Sequence, residues 1–238
     1  MSDGGAPRPT SQDHDSHRHA PNLGALGHDG LSSLDSGPMN PSAAVLVPVK
    51  SFHHAKERLA PALEADERAQ LARDMATNVV RAAGPLPVVV LCDTDDVASW
   101  ALGLDAEALW CPDTDLNGAV SQGISELSRR GVPRAVVAHS DLPLATSLSW
   151  IADWPSITLV PDRRRDGTNV IGVPTGCGFR FTYGPGSFAR HLHDAQRLGL
   201  GYRVIRDAAL AWDVDDPADL DLPDGHRLAA AVTGRATP

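Results

Sequence analysis

Two short stretches, Asp166-Gly167-Thr168-Asn169 and Tyr183-Gly184-Pro185-Gly186-Ser187-Phe188-Ala189-Arg190-His191, bring glycines, two hydroxyls and a helix start close together in the chain. Glycine lets the main chain approach a ligand, and a serine at a helix start offers a hydroxyl and free N–H groups to an anion. The pair therefore suits a small phosphorylated acid. Two carboxylate motifs lie elsewhere, Ser140-Asp141-Leu142-Pro143 and Trp212-Asp213-Val214-Asp215-Asp216-Pro217. A third stretch, Val49 to Pro61, carries Lys50, Lys56 and Arg58, cations with the reach to contact a triphosphate. Together they point to a metal-dependent enzyme acting on phosphates.

Each motif also has an ordinary structural use. Asp141 ends an apolar run and precedes Leu-Pro. Such a carboxylate either holds Mg²⁺ together with phosphate oxygens and water, or caps a turn. Asp213 and Asp215 are two apart, so on a strand they face one side. Asp213 then completes a metal site with Asp141, while Asp215 is equally placed to cap a following helix with Asp216. Thr168 and Ser187 are acceptor-binding hydroxyls, or serve ordinary strand and N-cap duty. Lys50, Lys56 and Arg58 face a triphosphate, or form a solvated basic loop. His191 and His193 diverge around a helix and are excluded as a metal pair. The chain lacks the G-x-x-x-x-G-K-[ST] run of P-loop proteins and shows no G-x-G-x-x-G after its first strand.

The elements that must position these residues alternate. The runs from Ala43, Leu86, Ala106, Arg134, Ile157, Asn169, Tyr202 and Ala209 read as strands. Asp66–Ala83, Asp95–Leu102, Asn117–Arg130 and Ser187–Leu198 read as helices, with a helical turn over Thr146–Ala152. Alternation at this interval predicts an α/β fold with a mostly parallel sheet, whose ligands sit beyond the carboxyl ends of the strands. Lys50, Asp141 and Asp213 each fall at such an end.

Three regions are expected: a disordered polar tail over 1–42 without the apolar core of a signal peptide, one catalytic domain over 43–222, and a C-terminal tail over 223–238. With 21 Lys and Arg against 30 Asp and Glu, the formal charge of −9 argues against a nucleic-acid groove. The three cysteines, Cys92, Cys111 and Cys177, fit no zinc or redox spacing and read as reduced thiols of a cytoplasmic protein. No apolar stretch reaches the ~18 residues that would suggest a membrane span.

Taken in order, Pro48-Val49-Lys50, Ala55-Lys56, Arg58-Leu59-Ala60-Pro61, Asp141-Leu142-Pro143, Gly167-Thr168-Asn169, Gly184 to His191 and Asp213 to Leu220 resemble the guanylyltransferases of deazaflavin coenzyme F-420 biosynthesis. These act on 2-phospho-L-lactate in archaea and on phosphoenolpyruvate in many bacteria. The resemblance runs from about Ala44 to Leu220. It implies a Rossmann-like three-layer sandwich of the nucleotide-diphospho-sugar transferase type. It also implies transfer of GMP from GTP to phosphoenolpyruvate, giving enolpyruvyl-diphospho-guanosine and pyrophosphate. By the same resemblance Thr168, Gly184 and Ser187 bind the phosphorylated three-carbon acid. Asp141 and Asp213 hold Mg²⁺, Lys50, Lys56 and Arg58 face the GTP phosphates with the two lysines catalytic, and Asn117 touches the nucleoside. The product would pass to the next enzyme of the pathway. Ser140 departs from the pattern, standing where the family usually has glycine. Other readings remain at this point: the same chemistry on 2-phospho-L-lactate or 3-phosphoglycerate, a glycosyltransferase using Asp213-Val214-Asp215, or a nucleotide-binding regulator without turnover.

Overall fold

The computed structural model describes residues 41–223. The tails set apart above lie outside the described residues except at 41, 42 and 223. Short valine-rich runs form β1 (Ala44–Pro48), β2 (Val88–Cys92), β4 (Arg134–Ala138) and β5 (Ile157–Pro161). Nearly every residue in them is buried, as expected of strands covered on both faces. With β3 (Glu107–Trp110), β6 (Thr168–Pro174) and β7 (Tyr202–Val204) they make a 7-stranded sheet in the order β3-β2-β1-β4-β6-β5-β7. All pairings are parallel except those of β6, which runs antiparallel to β4 and β5.

The alternation along β1 sets the layers. Val45 and Val47 face α1 (Ala65–Ala82), α2 (Asp95–Leu102) and α4 (Ser149–Ala152), packing with Val79, Val97 and Ile151. Ala44 and Leu46 face α3 (Leu116–Arg129) and α5 (Ser187–Arg197), packing with Val120, Leu127, Phe188 and Ala195. This is the expected three-layer α/β sandwich. Close approach is built into α3: a Cβ on Gly123 would lie 2.9 Å from a Leu91 methyl and 3.0 Å from one of Leu46.

One expected strand does not form. Residues 209–214 read as apolar enough for one, but Asp207 Oδ1 accepts the Ala209 and Leu210 N–H groups, each at 2.9 Å. Its carbonyl takes the Ala211 N–H at 2.9 Å. A side chain that satisfies the backbone locally competes with a sheet ladder, and here it wins. Asp213 therefore sits on an irregular segment rather than at a strand end. The expected helical turn over 146–152 shortens to α4.

The antiparallel strand matters for function. β1, β2 and β4 deliver Lys50, Asp93 and Asp141 to one rim of the sheet, just past their carboxyl ends. Because β6 runs the other way, it begins at that same rim. The connection from β5 to β6, residues 162–167, is thereby brought beside Asp141.

Candidate active site at the rim of the sheet

A cleft of about 560 Å³ opens along this rim. Its walls include Lys50, Arg58, Asp93, His139, Asp141, Gly184, Ser187 and Asp213. A second cavity of about 680 Å³ adjoins it and shares Lys50, Arg58, Asp93, Asp141 and Asp215. The chain thus brings the loop after β1, the end of β4, the start of α5 and the Asp213–Asp216 segment to one place.

Asp141 and Lys56 form the centre. Lys56 Nζ donates to Asp141 Oδ2 at 2.6 Å and to Asp215 Oδ1 at 3.2 Å. Burial works against the Lys56 charge, but the two carboxylates outweigh it and hold its pKa above the ordinary value. Burial likewise favours neutral Asp141, and is outweighed by the Lys56 and His139 charges, so the carboxyl is held below its usual range. Lys56 itself sits at φ 56°, a left-handed conformation that costs a side chain about 1 kcal/mol or more. Lys56, expected to present its ammonium to phosphates, here pairs with two carboxylates. Two carboxylates in a partly dehydrated site require a counter-charge, and Lys56 supplies it. Lys56 lines only the second of the two cavities.

Asp213 differs from Asp141. Burial comes first and the Asp141 and Asp215 charges next in pushing its pKa up. Its nearest cation is Arg163, with Nη1 3.9 Å from Oδ1. The segment carrying it is held by a closed set of contacts. Arg163 donates to the Asp213 carbonyl at 3.0 Å, pairs with fully buried Asp219, and lies 4.2 Å from the Trp212 ring centroid. Asp219 Oδ2 accepts the Asp215 and Asp216 N–H groups, each at 2.9 Å.

The donor set fits a divalent cation. Asp141 Oδ1 is buried without a hydrogen-bond partner, and Asp213 carries carboxylate repulsion that a cation would relieve. Among the described residues no group of three or more His, Cys, Asp or Glu side chains is arranged to hold a metal alone. Magnesium, which takes one or two carboxylates plus phosphate and water oxygens, asks for no more than a pair.

The remaining cations stand open. Arg58 pairs with Asp215 at 2.9 Å with its side chain 66 % exposed, and the Lys50 ammonium has a long 3.4 Å contact to the Thr114 carbonyl. Both line the cleft.

Around α5, the expected free N–H groups are largely taken. Gly186 N donates to Asp166 Oδ2 at 3.0 Å, Phe188 N to the Asp166 carbonyl at 2.9 Å, and Ser187 N to the Gly184 carbonyl at 3.0 Å. An internal carboxylate thus occupies the helix terminus. Gly184, at φ 114°, and the buried Ser187 do line the cleft. Thr168 does not. It is fully buried and its Oγ1 lies 3.0 Å from His191 Nδ1. His191 Nε2 accepts the Thr182 N–H at 2.9 Å, so Nδ1 carries the proton and donates to Thr168. Burial, then the Arg190 and His139 charges, push the His191 pKa down to about 4, leaving the ring neutral. Asn117 also leaves its expected place. It is not on the cleft wall, because its Oδ1 accepts the Tyr183 N–H at 2.6 Å and so fixes the start of the Tyr183–Ser187 loop.

Sequence reasoning assigned no role to Asp93, His139 or Tyr183, all on the cleft wall. His139 Nε2 and Tyr183 Oη are buried without partners, with ring centroids 5.0 Å apart. Burial raises the Tyr183 pKa. The one available signal was position: His139 lies two residues before Asp141. Cys92, also on this wall, is pushed up to about 11 by burial and so stays a thiol.

Residues 43–222 match the family model described as "Guanylyl transferase CofC like". The chain belongs to the CofC-like guanylyl transferase family. A phosphoenolpyruvate guanylyltransferase of Sphaerobacter thermophilus is 36 % identical over 195 residues, covering 78 % of this chain and 94 % of that protein. A 2-phospho-L-lactate guanylyltransferase of Archaeoglobus fulgidus is 32 % identical over 180 residues, covering 74 % and 80 %. Among solved structures, one from Desulfovibrio desulfuricans G20, provisionally described as a nucleotide-diphospho-sugar transferase, aligns with a TM-score of 0.61 at 18 % identity over 75 % of this chain and 84 % of that one. That likeness agrees with the three-layer α/β fold described above. No helix among the described residues is long and apolar enough to cross a membrane.

Proposed function

We propose that this CofC-like guanylyl transferase moves GMP from GTP to phosphoenolpyruvate. The products are enolpyruvyl-diphospho-guanosine and pyrophosphate, within coenzyme F-420 biosynthesis in the cytoplasm. The observation that carries the reading is Asp141: a carboxylate at the end of β4 with one oxygen unpaired, set beside Asp213 and between two differently built halves of one cleft.

A phosphate oxygen of the acid attacks the α-phosphorus of GTP, forming the new P–O bond as the bond to the pyrophosphate oxygen breaks. The acid's phosphate is already anionic, so no protein nucleophile is required. Gly184 and the Ser187 hydroxyl position the acid on the β6–α5 side. Lys50 and Arg58 meet the triphosphate on the β1 side, where open cations lower the cost of bringing two polyanions together. Lys56 keeps Asp141 ionised and also pairs with Asp215. Asp141 and Asp213 would hold Mg²⁺, which when bound neutralises charge on the reacting phosphates. The product's reactive enol ester bond favours direct passage to the next enzyme.

The test is pyrophosphate release from GTP with phosphoenolpyruvate, 2-phospho-L-lactate or 3-phosphoglycerate, each with and without Mg²⁺. Release with phosphoenolpyruvate at the highest kcat/KM is expected. Preference for another acid moves the acceptor assignment, and no release with any acid overturns guanylyl transfer.

A further inference from the structure

The cleft's walls hold six aspartates, and five have work to do within the protein. Asp141 and Asp215 pair with Lys56, Asp162 accepts the Asp166 and Gly167 N–H groups, Asp166 accepts that of Gly186, and Asp213 stands beside Asp141 and Arg163. Asp93, one residue beyond β2, has no hydrogen bond or ion pair among the described residues, yet it lines both cavities. The wall beside it is built from Leu91, Cys92, Cys111, Leu116 and Ala119, the apolar part of the cleft.

The sheet order sets this wall apart from the Gly184–Ser187 loop. β2 and β3 lie on one side of the central β1–β4 pair and β6 on the other. The loop carrying Gly184 and Ser187 lies on the β6 side, and Asp141 stands between. A planar heterocycle fits the apolar β2–β3 side, and a small acid the other.

We propose that Asp93 reads the base of the nucleotide, selecting guanine by accepting hydrogen bonds from its N1–H and exocyclic 2-amino group. This rests on the guanylyl-transfer reading and adds the residue that sets its nucleotide specificity. An ionised carboxylate only accepts hydrogen bonds. Guanine is the common base that offers two adjacent donors on its pairing edge. Adenine presents the N1 lone pair there, and cytosine the N3 lone pair, each repelled by a carboxylate. Hydrogen bonds to an ionised group are worth more than neutral ones, so one carboxylate suffices to discriminate. Charge at Asp93 also argues against a phosphate-binding role.

The experiment measures equilibrium binding of GTP, ITP and XTP to the full chain and to Asp93→Asn, together with kcat/KM for each nucleotide with the acid that turns over. Inosine lacks the 2-amino group, so the unaltered protein should bind ITP about 10- to 100-fold more weakly than GTP. Xanthine carries a carbonyl at that position, so Asp93→Asn should lose GTP affinity and gain XTP affinity, inverting the preference. Equal binding of GTP and ITP by the unaltered protein overturns the proposal without use of any variant. So does an Asp93→Asn protein, folded by circular dichroism, that keeps the original GTP-to-XTP ratio. A chain that discriminates ITP from GTP, and whose Asp93→Asn variant inverts the GTP-to-XTP preference, but that releases no pyrophosphate supports base reading by Asp93 and overturns guanylyl transfer instead. Failure to bind GTP at all overturns both.

Discussion

On the acceptor side of the cleft, Asp162, Asp166, Thr168, Arg190 and His191 are all engaged by protein groups, whereas on the nucleotide side Lys50, Arg58 and Asp93 hold little. Arg190 alone donates to the carbonyls of Thr182, Gly184 and Pro185, at 2.7, 3.4 and 2.6 Å for the shortest contacts. Asp166 clasps the start of α5 through a side-chain and a main-chain acceptor. Groups already tied down lose little freedom when a ligand arrives, so the acceptor side has its shape before binding. The nucleotide side keeps open charges that a triphosphate must order. The contrast suits the substrates: a three-carbon acid has few atoms with which to organise a site, and GTP has many.

Between the two sides stand Asp141 and Asp213, and removing either should disable both. Asp141→Asn or Asp213→Asn is expected to lower kcat by about 10²- to 10⁴-fold, since charge neutralisation at a reacting phosphate is worth several kcal/mol. Turnover against Mg²⁺ concentration measures this. Activity within tenfold of the unaltered protein in both variants would remove them as the shared centre.

The next effect is on stability. Asp219 is fully buried, paired with Arg163, and the acceptor for two N–H groups of the Asp213–Asp216 segment. Asp219→Ala leaves those donors and a partly buried guanidinium unpaired, so a loss of about 3 kcal/mol is expected. The urea midpoint checks it. A loss below about 1 kcal/mol would mean that the segment is held by Trp212 and Val214 packing rather than by this carboxylate.

The sheet and its helices were legible because their signals are periodic and their burial two-sided. The runs around Val45, Val89 and Val136 had no other good use. The motifs also located the rim, because carboxyl ends of parallel strands follow from the strand assignments. What could not be read was how side chains choose partners. Nothing in the spacing of Lys56, Asp141 and Asp215 says that this lysine pairs with both carboxylates. The 209–214 run forms no strand because Asp207, two residues upstream of Ala209, ties the backbone into a turn. The Gly167-Thr168-Asn169 motif puts the Thr168 hydroxyl on the acceptor, but side chains alternate along β6 and its own points inward to His191. Asp93 gave no motif at all, and its freedom is visible only once the other aspartates of the cleft wall have been placed.

The pre-formed character of the acceptor side can be probed through His191. Its folded pKa, about 4, lies below the ordinary 6.5. Above pH 6.5 both states are neutral at this position and stability does not change. As pH falls through 6.5 the unfolded chain takes up the proton first, so stability is lost progressively down to about pH 4. Between pH 7 and pH 5 this amounts to about 2 kcal/mol. Urea unfolding at both pH values should show that loss in the unaltered protein and a smaller one in His191→Gln. Equal losses in both would move the acid sensitivity elsewhere and leave the ring a purely steric member of the Phe179–Tyr183 cluster.

The smallest effects separate the two sides most cleanly. Ser187 is buried on the acceptor wall with its N–H engaged, so the hydroxyl is what it has left to offer a ligand. Ser187→Ala should raise KM for the acid about 5- to 10-fold, the worth of one hydrogen bond, with kcat and KM for GTP nearly unchanged. Lys50→Ala should do the reverse, raising KM for GTP by a similar factor and sparing that of the acid. Because acceptor-side groups are tied before binding, the Ser187 effect should also be insensitive to salt. The Lys50 effect, an exposed charge acting on a polyanion, should shrink as ionic strength rises past a Debye length of about 8 Å. If both variants shift both KM values together, the two sides are not independent, and binding of one substrate must build the site for the other.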